Sequence, residues 1–96
     1  MTAGSAIKFG CETDMGSRIR WAFDIPQIQI PIVIYSGYSL ASSFEWRMKV
    51  NPTARGNELI IDNVLMGDSG MYSCQELQNT TRRVDFHLTV KGARLL

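Results

Sequence analysis

Apolar residues recur at every second position along most of this chain, and that periodicity restricts it to β structure. Ile7, Phe9 and Cys11 alternate with Lys8 and Gly10; Ile19, Trp21 and Phe23 alternate with Arg20 and Ala22. Ile28, Ile30, Ile32 and Ile34 alternate with Gln29, Pro31 and Val33. The pattern continues in Leu59 and Ile61, in Tyr72 and Cys74, and in Val84, Phe86, Leu88 and Val90. Side chains two apart share one face of a strand, so each run reads as a strand with one face on a core. Turn-forming clusters separate the runs, at Asp14-Met15-Gly16-Ser17, Ser36-Gly37, Asn51-Pro52, Arg55-Gly56-Asn57, Gly67-Asp68-Ser69-Gly70 and Gln78-Asn79-Thr80. No stretch carries three turns of an amphipathic helix. Seven or eight short strands at this spacing imply an all-β antiparallel sandwich or barrel.

Ninety-six residues are expected to make a single domain spanning 1–96, near the lower size at which a core is self-sufficient. Ten Lys and Arg against nine Asp and Glu leave a formal charge of +1, which carries no footprint for nucleic acid or an anionic membrane. The uncharged stretch from Ile25 to Phe44 has the length of a membrane span. Pro26, Gln27, Gln29, Pro31 and Gly37 make it too polar and too broken for one. Met1 to Ser5 has neither the basic start nor the apolar run of a secretory leader. Two cysteines and one histidine, His87, do not complete a four-ligand zinc site, so no metal and no cofactor is expected. Cys11 and Cys74 both fall on inward parity. They are either two buried thiols or a bridge closing a loop of roughly 64 residues, worth about 4 kcal/mol in the chain-entropy account.

The order Cys11, then Trp21, then Asp68-Ser69-Gly70-Met71-Tyr72-Ser73-Cys74 resembles the immunoglobulin superfamily, which keeps a Cys on strand B, a Trp on strand C and D-x-G-x-Y-x-C on strand F. Gly4 to Cys11 is similar to the family's strand B, and the likeness covers about residues 4 to 90. The spacing from Trp21 to Cys74 resembles that of a light-chain variable domain, the V-set. Pro26 falls at that family's C–C′ turn, Ile34-Tyr35 at the end of C′, and Leu59-Ile60-Ile61 on strand E. The resemblance implies a V-type Greek-key sandwich of two sheets, B-E-D and G-F-C-C′-C″. It implies a Cys11–Cys74 disulfide packed by Trp21, with Ile7, Phe9, Ile19, Phe23, Ile34, Leu59, Ile61, Phe86 and Leu88 around it. Tyr72 would hold the E–F corner, and Arg47 and Asp68 would form a structural salt bridge. Such a disulfide implies an extracellular or cell-surface location, as a domain of a larger secreted or membrane protein. Three departures stand out. Ten residues precede Cys11, so strand A is missing or vestigial. The last strand lacks the Phe-Gly-x-Gly of joining segments. Asp24 replaces the Gln through which antibody chains pair.

Gly67-Asp68-Ser69-Gly70 also looks like the nucleophile segment of trypsin-like proteases. That chemistry needs an upstream His and Asp, whereas His87 lies downstream, on the outward parity of a strand. With no carboxylate pair and no phosphate-cradling loop, no enzyme is expected. Asn79-Thr80-Thr81 is an N-x-T glycosylation pattern placing Asn79 in the F–G turn.

Function in such a sandwich lies in loops and faces. The B–C and F–G loops are short, so the G-F-C-C′ face is the better candidate. Ala22, Ile30, Ile32, Tyr35 and Leu77 are expected to form its apolar area, rimmed by Arg20, Asp24 and Gln75. Strict alternation would turn Ile30 and Ile32 inward; the resemblance turns them, with Tyr35, toward a partner. The reading is an extracellular immune-type recognition module binding a protein ligand or an identical subunit as a homodimer. A homophilic or heterophilic cell-adhesion module and a glycan-binding module are the alternatives.

Overall fold

The structure is a computed structural model and describes residues 2–13, 18–24, 30–37, 39–44, 47–79 and 81–92. Its strands are β1 (Ile7–Glu12), β2 (Ile19–Asp24), β3 (Ile32–Gly37), β4 (Ser39–Leu40), β5 (Met48–Thr53), β6 (Gly56–Ile61), β7 (Gly70–Glu76) and β8 (Arg83–Leu88). They form one sheet in the order β1-β6-β5 and a second in the order β4-β3-β2-β7-β8, with antiparallel neighbours throughout. Among the described residues there is no α-helix, only single 3-10 turns at Ser42–Phe44 and Met66–Asp68. This is the all-β, two-sheet order expected from the sequence, with β4 as a two-residue remnant of C″.

Ahead of β1 the described chain forms no strand of its own. Residues 2–5 make one parallel bridge, Thr2 to Lys91, and a few main-chain hydrogen bonds. Ala3 N–H donates to the Lys91 carbonyl at 2.8 Å and Gly4 N–H to the Val64 carbonyl at 2.8 Å. Val64 N–H in turn donates to the Ser5 carbonyl at 2.8 Å. The short segment therefore touches the extensions of both sheets.

Two ties join the sheets side by side. Cys11 and Cys74 form a disulfide across the sandwich, with their Cα atoms 6.4 Å apart. Beside Cys74, at the same level of the second sheet, stands Trp21; beside Cys11 in the first sheet stands Asn57. The Trp21 indole N–H crosses the same gap and donates to Asn57 Oδ1 at 2.7 Å. Trp21 is fully buried, and a buried indole N–H without an acceptor is costly, so Asn57 supplies what the ring requires. Gly56, just before it, is needed for close approach: a Cβ there would sit 2.1 Å from the Cys11 carbonyl oxygen.

Around this pair lie Phe9, Ile19, Phe23, Ile34, Leu59, Ile61, Tyr72 and Leu88, all buried as expected. Ile7 and Phe86, expected inside, are half-buried and pack on the core's margin. Phe86 stacks on Phe9 at 4.8 Å and on Trp21 at 5.8 Å between ring centroids. Val90, the last of its alternating run, is buried too, and Met48 and Val64 complete the core without having been singled out in the sequence.

The isoleucine run does not continue as one alternating strand. Ile34 is fully buried, Ile32 is 36 % exposed and Ile30 is 75 % exposed; Ile28 and Pro26 lie outside the described residues. Ile32 opens β3 opposite inward-facing Phe23, beyond the reach of β4, and a β-bulge breaks the alternation further along. Trp21 pairs with Tyr35 but Ala22 pairs with Val33, so Ile34 is an extra residue in β3 and the parity changes there.

The D-x-G-x-Y-x-C segment locks the far end of the sandwich. Asp68, in the Met66–Asp68 turn, accepts both terminal nitrogens of Arg47 in a bidentate pair, as the resemblance implied. It also accepts the Leu65 N–H at 2.7 Å. The Tyr72 hydroxyl donates to the Asp68 carbonyl oxygen at 2.7 Å, closing the E–F corner. Gly70 is there because the backbone passes Asp24: an added Cβ would lie 2.6 Å from its carbonyl oxygen. Burial pushes the Tyr72 hydroxyl well above its ordinary pKa, the Asp68 carboxylate adds to that, and Arg47 opposes it.

Two outcomes follow. Asn57→Ala strands the Trp21 N–H and is expected to cost about 1–3 kcal/mol in urea denaturation; an unchanged midpoint refutes the tie. The Tyr72 phenol ionises less readily folded than unfolded, so its contribution is complete below the unfolded value of about 10. It is lost as pH rises through that value toward the raised folded one. Tyr72→Phe is expected to lose about 1 kcal/mol at neutral pH and to show a shallower fall in stability above pH about 10 than the parent.

Candidate protein-binding face

The outer face of the five-stranded sheet is built by the residues that alternate with its core positions. Strand pairing arranges them in rows across β3, β2, β7 and β8. Ser36, Arg20, Gln75 and Arg83 stand in one row. Val33, Ala22, Ser73 and Asp85 make the next, and Asp24, Met71 and His87 the one after. Arg20 and Asp24 are four residues apart on β2, about 13 Å along the strand. The face thus has a basic pole at Arg20 and Arg83 and an acidic side at Asp24 and Asp85. Arg83 and Asp85 are bridged to each other at 2.8 Å, both part-exposed, which weakens their share of this polarity.

The apolar content of the face differs from the sequence expectation in two places. Ala22 is only 2 % exposed: its methyl group forms the floor between Val33 and buried Ser73 and offers no surface to a partner. Tyr35 is half-buried and packs against the core opposite Trp21, because the bulge at Ile34 takes it off the outer row. Exposed apolar surface comes instead from Val33 at 40 % and from Leu77 at 40 % past the end of β7; Ile32, the first residue of β3, pairs with inward-facing Phe23, and Ile30 precedes the strand. Arg20, Asp24 and Gln75 are half-exposed around these positions.

One end of the face rests on an acid that the sequence reading passed over. Glu76 is 3 % exposed and ion-paired to Arg82 at 2.8 Å. Its N–H donates to the Arg82 carbonyl at 3.1 Å, and Leu77 N–H donates to the Arg18 carbonyl at 2.9 Å. Inward parity two positions after Cys74 was the available signal: a carboxylate there must find a cation. Asn79, at the hairpin tip beyond Glu76, is exposed and accepts the Thr81 hydroxyl at 2.6 Å through Oδ1. Residues 14–17 of the B–C loop lie outside the described residues. Among the described residues no group of three or more His, Cys, Asp and Glu comes together, and no helix is long and apolar enough to cross a membrane. Replacing Arg82 by Ala leaves the Glu76 carboxylate buried without its ion pair and is expected to cost about 1–3 kcal/mol. Glu76→Gln in the same chain is expected to recover part of the loss, read by thermal denaturation; equal losses in the single and double variants refute the pairing.

No family model matches the chain, and no curated protein matches it. Among solved structures it is similar to the crystal structure of the ZIG-8 IG1 homodimer, with a TM-score of 0.79. Identity is 17 % over 97 % of this chain and 77 % of that one. At such identity the likeness speaks for the fold alone, and the fold hosts many functions. With the two-sheet order, the disulfide and the packed tryptophan, it establishes that this chain has the immunoglobulin fold.

Proposed function

We propose that the chain is an extracellular, V-set-like recognition module, without enzymatic activity, whose G-F-C-C′ face binds a second copy of itself. The observation that carries this reading is the polarity of that face. Arg20 and Asp24 occupy opposite ends of the exposed part of β2, with the partly exposed aliphatic side chain of Val33 at one side. A two-fold axis lying in the interface and running across the strands would reverse one face on the other. Arg20 of each copy would then meet Asp24 of its mate, and the aliphatic positions would be covered between them. The insertion of β3 and β4 beside β2 supports the V-set assignment, since a constant-type domain lacks these strands. The disulfide supports an oxidising compartment. The similar ZIG-8 IG1 structure is itself a homodimer, which favours a second copy over a glycan as the ligand. Adhesion between cells is the same contact made between anchored copies.

Sedimentation velocity over a concentration series tests the proposal. Arg20→Glu alone and Asp24→Lys alone are each expected to weaken dimerisation roughly tenfold, about 1.4 kcal/mol. The double variant, with the charges exchanged, is expected to recover most of that loss, and added salt to reduce the difference. A chain that stays monomeric throughout, or a dimer indifferent to all three variants, overturns this assignment.

A further inference from the structure

The β7–β8 hairpin carries a feature that the face does not use. Its tip is the sequence Asn79-Thr80-Thr81, in which Asn79 and Thr81 are both exposed. The Thr81 hydroxyl donates to Asn79 Oδ1 at 2.6 Å, so the amide oxygen is engaged by the third residue of the pattern while the Nδ2 side of the amide faces no described partner. The turn is fixed at its base: Arg82 N–H donates to the Asn79 carbonyl at 3.0 Å and Glu76 N–H to the Arg82 carbonyl at 3.1 Å. The Glu76–Arg82 ion pair lies directly beneath. An exposed asparagine on a pinned hairpin can carry a large polar group without disturbing the core.

We infer that Asn79 is an N-glycan acceptor and that its glycan covers the hairpin tip, leaving the outer face of the five-stranded sheet for protein contact. The inference rests on the extracellular reading above, because the donor belongs to the secretory route. The donor is an oligosaccharide carried on a lipid diphosphate. A bond forms between Asn79 Nδ2 and the anomeric carbon of the first sugar as that carbon's bond to the diphosphate oxygen breaks. The lipid diphosphate leaves with the electron pair, and the amide gives up one proton.

The test is translation of the chain behind an added secretory leader in the presence of eukaryotic microsomes. Expected is a protease-protected product heavier by one core oligosaccharide and returned to its starting mass by endoglycosidase. Asn79→Gln and Thr81→Ala are expected to abolish the added mass, and Thr81→Ser to retain it. Protease-protected product with no added mass overturns the inference, as does added mass that persists in Asn79→Gln. Because the leader is supplied, this result bears on the acceptor alone. Dimerisation through the sheet face is scored independently by sedimentation of the unglycosylated chain.

Discussion

The paired crossing of the sandwich by Cys11–Cys74 and by Trp21–Asn57 is what the remaining geometry depends on. The two ties share their neighbours: Cys74 stands beside Trp21 in one sheet, Cys11 beside Asn57 in the other. One is covalent and limits how far the unfolded chain can spread. The other is a hydrogen bond held in a dry interior, where its loss would expose an unmet donor. Together they fix both the separation of the sheets and their relative level. Once that level is set, Phe9 meets Tyr72 and Phe86, and Leu59 and Ile61 fill the space under Ile34 without further instruction.

The second anchor lies at the E–F end, where one residue serves three partners. Asp68 receives Arg47 from the start of β5, the Leu65 N–H from its own turn, and through its main chain the Tyr72 hydroxyl from β7. Arg47 and Asp68 are each about nine-tenths buried, so their pairing is shielded from solvent and demands satisfied geometry more than it adds net stability. Its value is positional: it ties the start of one sheet's edge strand to the turn that launches the other sheet's centre. The middle and one end of the sandwich are thus held by different physics, aromatic and sulfur packing in the first and a polar clasp in the second.

Much of this was readable from residue order. The strands around Phe9, Trp21, Leu59, Tyr72 and Phe86 announced themselves by alternation, and Cys11, Trp21, Arg47, Asp68 and Cys74 by their spacing. What escaped notice depends on pairings between distant segments. Asn57 matters only because it stands opposite Cys11, and nothing local to β6 says so. The bulge at Ile34 arises from the register of β3 on β2, and it turns Tyr35 to the core. Ala22 is buried because its short side chain lies between Val33 and Ser73 on the neighbouring strands, a placement that only the pairing reveals. The candidate face was therefore legible as a face, while its composition was not.

The bridge between Thr2 and Lys91 brings two distant points of the sequence together at one place on the surface. A mechanical load entering at Thr2 and leaving at Lys91 would act on that small parallel contact in shear. The load would then reach the sulfurs and pass straight from Cys11 to Cys74, bypassing everything between them. Only the segments from Thr2 to Cys11 and from Cys74 to Lys91 could lengthen. Under tension the protein would yield early, by a short and bounded extension, and keep most of its chain out of the line of force.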